Sequence, residues 1–274
     1  FDHSGNGNHG TIHGATWVEN IYGCTDELAE NYNPDANWND GSCNYPDNGD
    51  YSLSFDGVDD YVEIYNDNIS FTQVQDLSVA FQANVSQDGG YILTKYENLF
   101  PENSNFTIGF NDTNNDGICT ISIIGRGDGG ENYEVDGLNC DENGIFYIVF
   151  DYESDFNTKV YLDEDLIGQT NRNVNTVASD EPLYIGKLGD ENHPGYFDGI
   201  INNLKIWNIA LSIEQIESIS IGDNLPLAQY TLNSGSGSIL YDHSGNNNHG
   251  TIHGASWVEN IYGCTDELAE NYNP

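Results

Sequence analysis

Short runs of apolar and β-branched residues, broken every few positions by Gly, Asn and Asp, dominate this chain. They predict strands at 51–56, 60–65, 76–85, 90–96, 105–110 and 118–124, and again at 145–152, 157–163, 182–187, 200–207 and 225–232. Within 158–162 (TKVYL) polar and apolar residues alternate, as a sheet with one wet face requires. Asp163-Glu164-Asp165 stands where a hairpin would close. One segment, 212–219 (SIEQIESI), has helical character, and Ser212 followed by Gln215 forms a capping box. Many short strands with frequent turn signals predict an all-β, antiparallel, two-sheet jelly-roll sandwich with one short helix.

The pattern repeats. Residues 1–34 and 241–274 differ only at Phe1/Tyr241, Gly7/Asn247 and Thr16/Ser256, a constant offset of 240. The chain therefore reads as part of a tandem array of 240-residue repeats, which starts and stops inside a repeat. A unit of this length can bury the core of one β domain.

Charge narrows the functional classes. Six Lys and Arg face 45 Asp and Glu, giving a net charge of −39. Nucleic acid and anionic membrane surfaces are disfavoured as partners by such a field, and membrane insertion is not expected. Apolar residues still make up 37%, so this is not a disordered acidic tail. Cations are the natural partners of the carboxylate excess. Four cysteines fall in one repeat: Cys24, Cys43, Cys119 and Cys140, with Cys264 repeating Cys24. Of three possible pairings, the local one, Cys24–Cys43 with Cys119–Cys140, is expected. Disulfides place the protein in an oxidising, extracellular or cell-surface compartment.

The motif order resembles the LamG-like jelly rolls of the concanavalin A-like lectin/glucanase superfamily. LPLAQYTLN (225–233), DHSGNNNHGTIHGASW (242–257), SFDGVDDYVEI (54–64), KVYLDEDLIG (159–168), PLYIGK (182–187) and YFDGIINNLKIWNIALSIEQI (196–216) carry the resemblance. By family order, residues 1–223 form a domain lacking its first strand, and 225–274 begin the next repeat. Strand 225–232 is also able to complete the preceding body. The Cys-bounded segment 23–43 (GCTDELAENYNPDANWNDGSC) is an insertion relative to the family, and resembles a motif of large secreted bacterial repeat proteins.

Candidate chemistry follows. Asp112, Asn114 and Asp116, in D-x-N-x-D-G, offer oxygen ligands at alternate positions before a turn glycine, which suits calcium. The twelfth position of that loop is Ile123 rather than Glu, so it is not an EF-hand. The resemblance adds Asp2 or Asp242 with Asp198 as a calcium pair tying two ends of the sandwich, and Asp56, Asp59 and Asp60 beside them. Asn202 and Asn203 stand where the family often has Asp. His3, His9 and His13 sit in a Gly/Asn loop that reads as polar rather than as a zinc site. Trp38, between Asn37 and Asn39, is a candidate for stacking on a sugar, whereas Trp207 reads as core. Glu134-Val135-Asp136 begins like a glucanase catalytic run, but no second Glu follows, so no enzyme is expected. These features predict a structural and adhesive repeat of an extracellular fibre or surface adhesin, stiffened by calcium and disulfides. Its partners would be neighbouring repeats and extracellular polysaccharide. The alternative is a carbohydrate-binding, lectin-like module, for which an exposed aromatic platform beside a groove is the expected mark.

Overall fold

The computed structural model describes residues 1–65, 69, 76–86, 89–96, 104–111, 116–125, 131–140, 144–151, 157–171, 181–189, 195–219 and 225–261. The chain divides into two compact units, Phe1–Asn44 and Tyr45–Pro274.

In the smaller unit, β1 (Tyr22–Gly23) pairs in parallel with β2 (Trp38–Asn39). Asparagine side chains stand in for regular ladder bonds there. Asn37 accepts from the Ile21 N–H and donates to the Glu19 carbonyl, while Asn31 accepts from the Asn44 N–H and donates to the Ser42 carbonyl. A Cys24–Cys43 disulfide, with Cα atoms 4.7 Å apart, closes the loop.

The larger unit is a jelly-roll sandwich of two antiparallel sheets. The first contains β3 (Tyr51–Asp56), β5 (Leu77–Val85), β10 (Phe146–Asp151), β11 (Asn157–Leu162), β12 (Asp165–Thr170), β14 (Asp198–Trp207), β15 (Ala228–Tyr230) and β18 (Ser256–Glu259). They run in the order β12-β11-β10-β5-β14-β3-β18, with β15 also on β14. The second sheet runs β16-β17-β4-β13-β6-β7-β8-β9. Its strands are β4 (Tyr61–Ile64), β6 (Gly90–Tyr96), β7 (Ser104–Asn111), β8 (Ile118–Gly125), β9 (Glu131–Asn139), β13 (Leu183–Ile185), β16 (Ile239–Leu240) and β17 (Gly250–His253).

Period-two alternation explains the core. Val79, Phe81, Phe146, Ile148, Phe150, Leu204 and Ile206 point inward from the first sheet, and Val62, Ile64, Phe106, Ile108, Phe110, Ile121 and Ile123 from the second. Rings cross the gap: Phe81 meets Phe110 edge-on at 6.2 Å, and Phe106 lies 5.9 Å from Phe150. The Cys119–Cys140 disulfide, Cα atoms 5.0 Å apart, ties the start of β8 to the residue after β9. Asp163 and Glu164 form the predicted hairpin turn, with Asp163 at φ 53°.

The helix α1 (Ile213–Glu217) carries the expected capping box. Ser212 Oγ accepts from the Gln215 N–H at 3.3 Å, and Gln215 Oε1 accepts from the Ser212 N–H at 2.8 Å. β12 is the second arm of the 159–168 hairpin, whereas β9 (ENYEVDGLN) lies outside the predicted strands and reads as polar because it ends the second sheet.

The last described segment packs with the strands that precede it, the alternative that the sequence leaves open for 225–232. β15 pairs with β14, β17 with β4 and β18 with β3, so residues 228–259 occupy both sheets of the body that precedes them. The reason is burial: Tyr230, Leu240 and Ile252 enter the same core as Val62 and Leu53. Residues 220–224, which join α1 to β15 in sequence, lie outside the described residues.

Candidate functional site

The outer face of the first sheet has two halves. Over one half, Ala80, Tyr147, Val149, Tyr161 and Trp207 are buried beneath Leu211 and Ile216. Ser78 pins this cover, donating Oγ–H to the Ile209 carbonyl at 2.8 Å and accepting from the Leu211 N–H at 3.0 Å. Trp207 is therefore core, as its alternation with Leu204 and Ile206 implied.

The other half is a cleft of about 250 Å³, lined by Ser52, Gln82, Ala83, Asn84, Ile200, Asn202, Asn260 and Ile261. A β-bulge makes this lining. Asn202 pairs with Gln82 and Leu204 with Phe81, which leaves Asn203 as the extra residue at φ 48°. Asn202 can then face outward while Leu204 still faces the core. Asn260 is fixed by three bonds. Its backbone N–H donates to the Asp50 carbonyl at 2.9 Å, its amide to Asp50 Oδ1 at 2.7 Å, and its Oδ1 accepts from Ser52 at 2.8 Å. The Asn202 Oδ1 atom is buried with no hydrogen-bond partner, a state few polar groups tolerate. A side-chain amide both donates and accepts, so such a cleft matches a polyhydroxylated ligand. Among the described residues, no Lys, Arg, Asp, Glu or aromatic residue lines it.

Sequence reasoning weighed Asn202 and Asn203 only as replacements for Asp. The polar outward alternation of Gln82, Asn84 and Asn202 was the available signal.

The metal candidates scatter. Asp112 and Asn114 lie outside the described residues, and the Asp116 Oδ1 accepts from the Ile118 N–H at 3.0 Å. Asp242 is fully buried and saturated, accepting from Gln229 N–H, Ser244 N–H, Ser244 Oγ–H and Asn248 N–H. Asp2 accepts from the Ser4 and Asn8 N–H groups at 2.7 and 2.9 Å. Asp198 pairs with Asp56 through the β14–β3 ladder. Among the described residues, one group of three metal-ligating side chains gathers within 4.8 Å, and it is Asp56, Asp59 and Asp60. Burial, then the charges of Asp56 and Asp59, push the Asp60 carboxyl above its ordinary range, against a backbone bond from Asp56 that lowers it. Three hard carboxylate oxygens suit calcium, and these residues would hold it.

Trp38 is 57% exposed in the smaller unit, its ring 6.4 Å from that of Tyr22. Trp38 is not among the described residues that line the cleft. Glu134 and Asp136 lie on β9, where Asp136 accepts from Thr120 Oγ at 2.8 Å.

A family model for the concanavalin A-like lectin/glucanases superfamily (Laminin_G_3) matches residues 56–217. No curated protein matches the sequence. Among solved structures, a Bacteroides ovatus protein provisionally described as carbohydrate-binding is 15% identical with a TM-score of 0.57. That match covers 82% of this chain and 66% of the other, a little under two thirds. A heptameric SAP-like pentraxin from Limulus polyphemus is 15% identical, TM-score 0.48, over 62% of this chain and 82% of that one. The CBM40 module of Ruminococcus gnavus IT-sialidase, bound to α2,3-sialyllactose, is 10% identical, TM-score 0.45, over 61% and 97%. No described helix is long and apolar enough to cross a membrane.

Proposed function

The chain belongs to the concanavalin A-like lectin/glucanase superfamily, and on that footing we propose that it is a lectin-like carbohydrate-binding module of an extracellular tandem-repeat protein. The observation that carries this reading is the cleft lined by the side-chain amides of Gln82, Asn84, Asn202 and Asn260. Sugar hydroxyls donate to and accept from such amides. The ligand class is a neutral polysaccharide, since the described residues that line the cleft include no Lys or Arg and the chain carries −39. Among the described lining residues there is no carboxylate pair of the kind that flanks a scissile bond in a glycosidase.

Each amide bond contributes about 0.5–1.5 kcal/mol net, and the described lining residues include no aromatic ring, so one cleft binds weakly. Repetition compensates: linking several weak sites on one chain raises avidity by about 10²–10⁴ without any new contact. This joins the binding reading to the adhesive, repeated one. Calcium belongs to the proposal as a structural ion at Asp56, Asp59 and Asp60. The two disulfides fit an oxidising, extracellular setting.

The test is titration of the chain with neutral and with acidic polysaccharides, using Asn202→Ala as the control. Neutral polymers are expected to bind, and the substitution to weaken them at least fivefold. Equal binding by the variant, or a preference for acidic polymers, overturns the assignment.

A further inference from the structure

Residues 1–20 and 241–260 are one sequence apart from Phe1/Tyr241, Gly7/Asn247 and Thr16/Ser256. Both copies fold the same loop. The Asp2 N–H donates to His9 Nδ1 at 3.0 Å, and the Asp242 N–H to His249 Nδ1 at 2.9 Å. The Asn8 N–H donates to Asp2 at 2.9 Å, and the Asn248 N–H to Asp242 at 2.9 Å. Gly7 and Asn247 share the left-handed region at φ 71° and 58°. This local conformation therefore needs no docking partner.

The surroundings of the two copies differ completely. Ile252 sits opposite Val62 and is 8% exposed, whereas Ile12 is 55% exposed. Trp257 packs against the core and donates its indole N–H to the Gly237 carbonyl at 2.9 Å, whereas Trp17 is 89% exposed. The glycines are the most telling. A Cβ at Gly250 would lie 2.6 Å from Val62 Cγ1, so β17 passes β4 only as glycine. A Cβ at Gly10 would meet nothing within 4 Å, and no left-handed backbone requires glycine there. Gly10 is thus explained by a β4-like strand that its own unit does not supply.

We propose that residues 1–20 are the closing segment of a second copy of this body. They seat on β4 and β3 of that copy as residues 250–259 seat here. Each bead is then an equivalent of Tyr45–Ile261, and the Cys24–Cys43 element is the spacer between consecutive beads. The occupant is fixed by sequence: the surface that takes GTIHGASWVEN takes GTIHGATWVEN. This inference rests on the tandem-repeat reading and not on sugar binding.

The test uses the whole chain with a protease site inserted between the exposed Ser236 and Gly237. After cleavage the chain is unfolded with disulfides intact, then refolded with excess labelled peptide. One peptide carries residues 241–261 and the other residues 1–21. Both are expected to be retained on the body to within threefold of each other, and Ile12→Asp in the second to reduce retention at least tenfold. Retention of 241–261 without 1–21 overturns the proposal. So does retention of neither, because closure would then not be a separable docking event, and so does equal retention of the Ile12→Asp peptide. No sugar enters the assay, so its outcome is independent of the proposed ligand.

Discussion

The backbone N–H of Asp56 donates to Asp60 Oδ2 at 3.1 Å, while the Asp56 carboxylate lies within 4.8 Å of the carboxylate it helps to hold. The turn D-G-V-D-D therefore supplies one favourable bond to a buried carboxyl and two repulsive charges beside it. The Asp60 pKa is raised in the fold. A raised carboxyl pKa gives stability that is full below the unfolded value of about 3.9 and lost as pH rises through the folded value.

At neutral pH with a chelator present, Asp60→Asn is thus expected to raise the melting temperature. Calcium reverses the order. At a hundredfold excess over its dissociation constant it stabilises the wild type by about 2.7 kcal/mol, and the variant less. Melting curves with chelator and with calcium check this. A wild type indifferent to calcium at low salt removes the ion from the proposal.

His243 gives the second pH signal. Burial first, and His249 beside it, lower its pKa, against the opposing charges of Asp242 and Asp47. Its imidazole packs edge-on to Tyr45 at 5.2 Å. Because the folded pKa is depressed, the contribution is full above the unfolded value of about 6.5 and falls as pH drops through the folded value. His243→Gln is expected to flatten the loss of stability below pH about 6.5. An unchanged slope in pH-dependent melts assigns that loss elsewhere.

The two copies of the loop allow a paired substitution. Asp242→Ala strands the Gln229, Ser244 and Asn248 N–H donors in the interior and is expected to cost about 3 kcal/mol or more. Asp2→Ala, on the exposed copy, is expected to leave the denaturation midpoint of the body unchanged. Urea titrations of both variants measure the difference. Equal effects would contradict the burial of the second copy.

The disulfides separate the two compact units in the same way. Replacing Cys119 and Cys140 by Ala opens a loop across β8 and β9 and is expected to destabilise the body by about 3 kcal/mol. Replacing Cys24 and Cys43 by Ser is expected to unfold the smaller unit and leave the main transition in place. Calorimetry of each double variant, with non-reducing peptide mapping of the parent, tests both statements.

Much of this molecule was legible in its residues because the interactions involved are local. Alternation placed most strands, Ser212 and Gln215 announced the helix start, and Asp163-Glu164 the hairpin. The D-H-S-G-N loop repeats two bonds around Asp2 and around Asp242, from the Asp N–H to the His and from the Asn N–H to the Asp, since these partners lie within seven residues. The sequence by itself also set the 240-residue period, the charge and the cysteine pairing of least loop length. Tertiary structure decided what local chemistry leaves open. Identical residues are solvated at Ile12 and buried at Ile252, because burial depends on whether β4 and β3 offer a free edge, and no residue within the segment encodes that. Asn202 reaches the cleft only because an extra residue at Asn203 shifts its register against Gln82. Asp60 is raised first because the fold covers it, and then by the charges of Asp56 and Asp59. Pairing across two hundred residues is a property of the assembled sheets, and it is there that one copy of a sequence becomes core while the other stays at the surface.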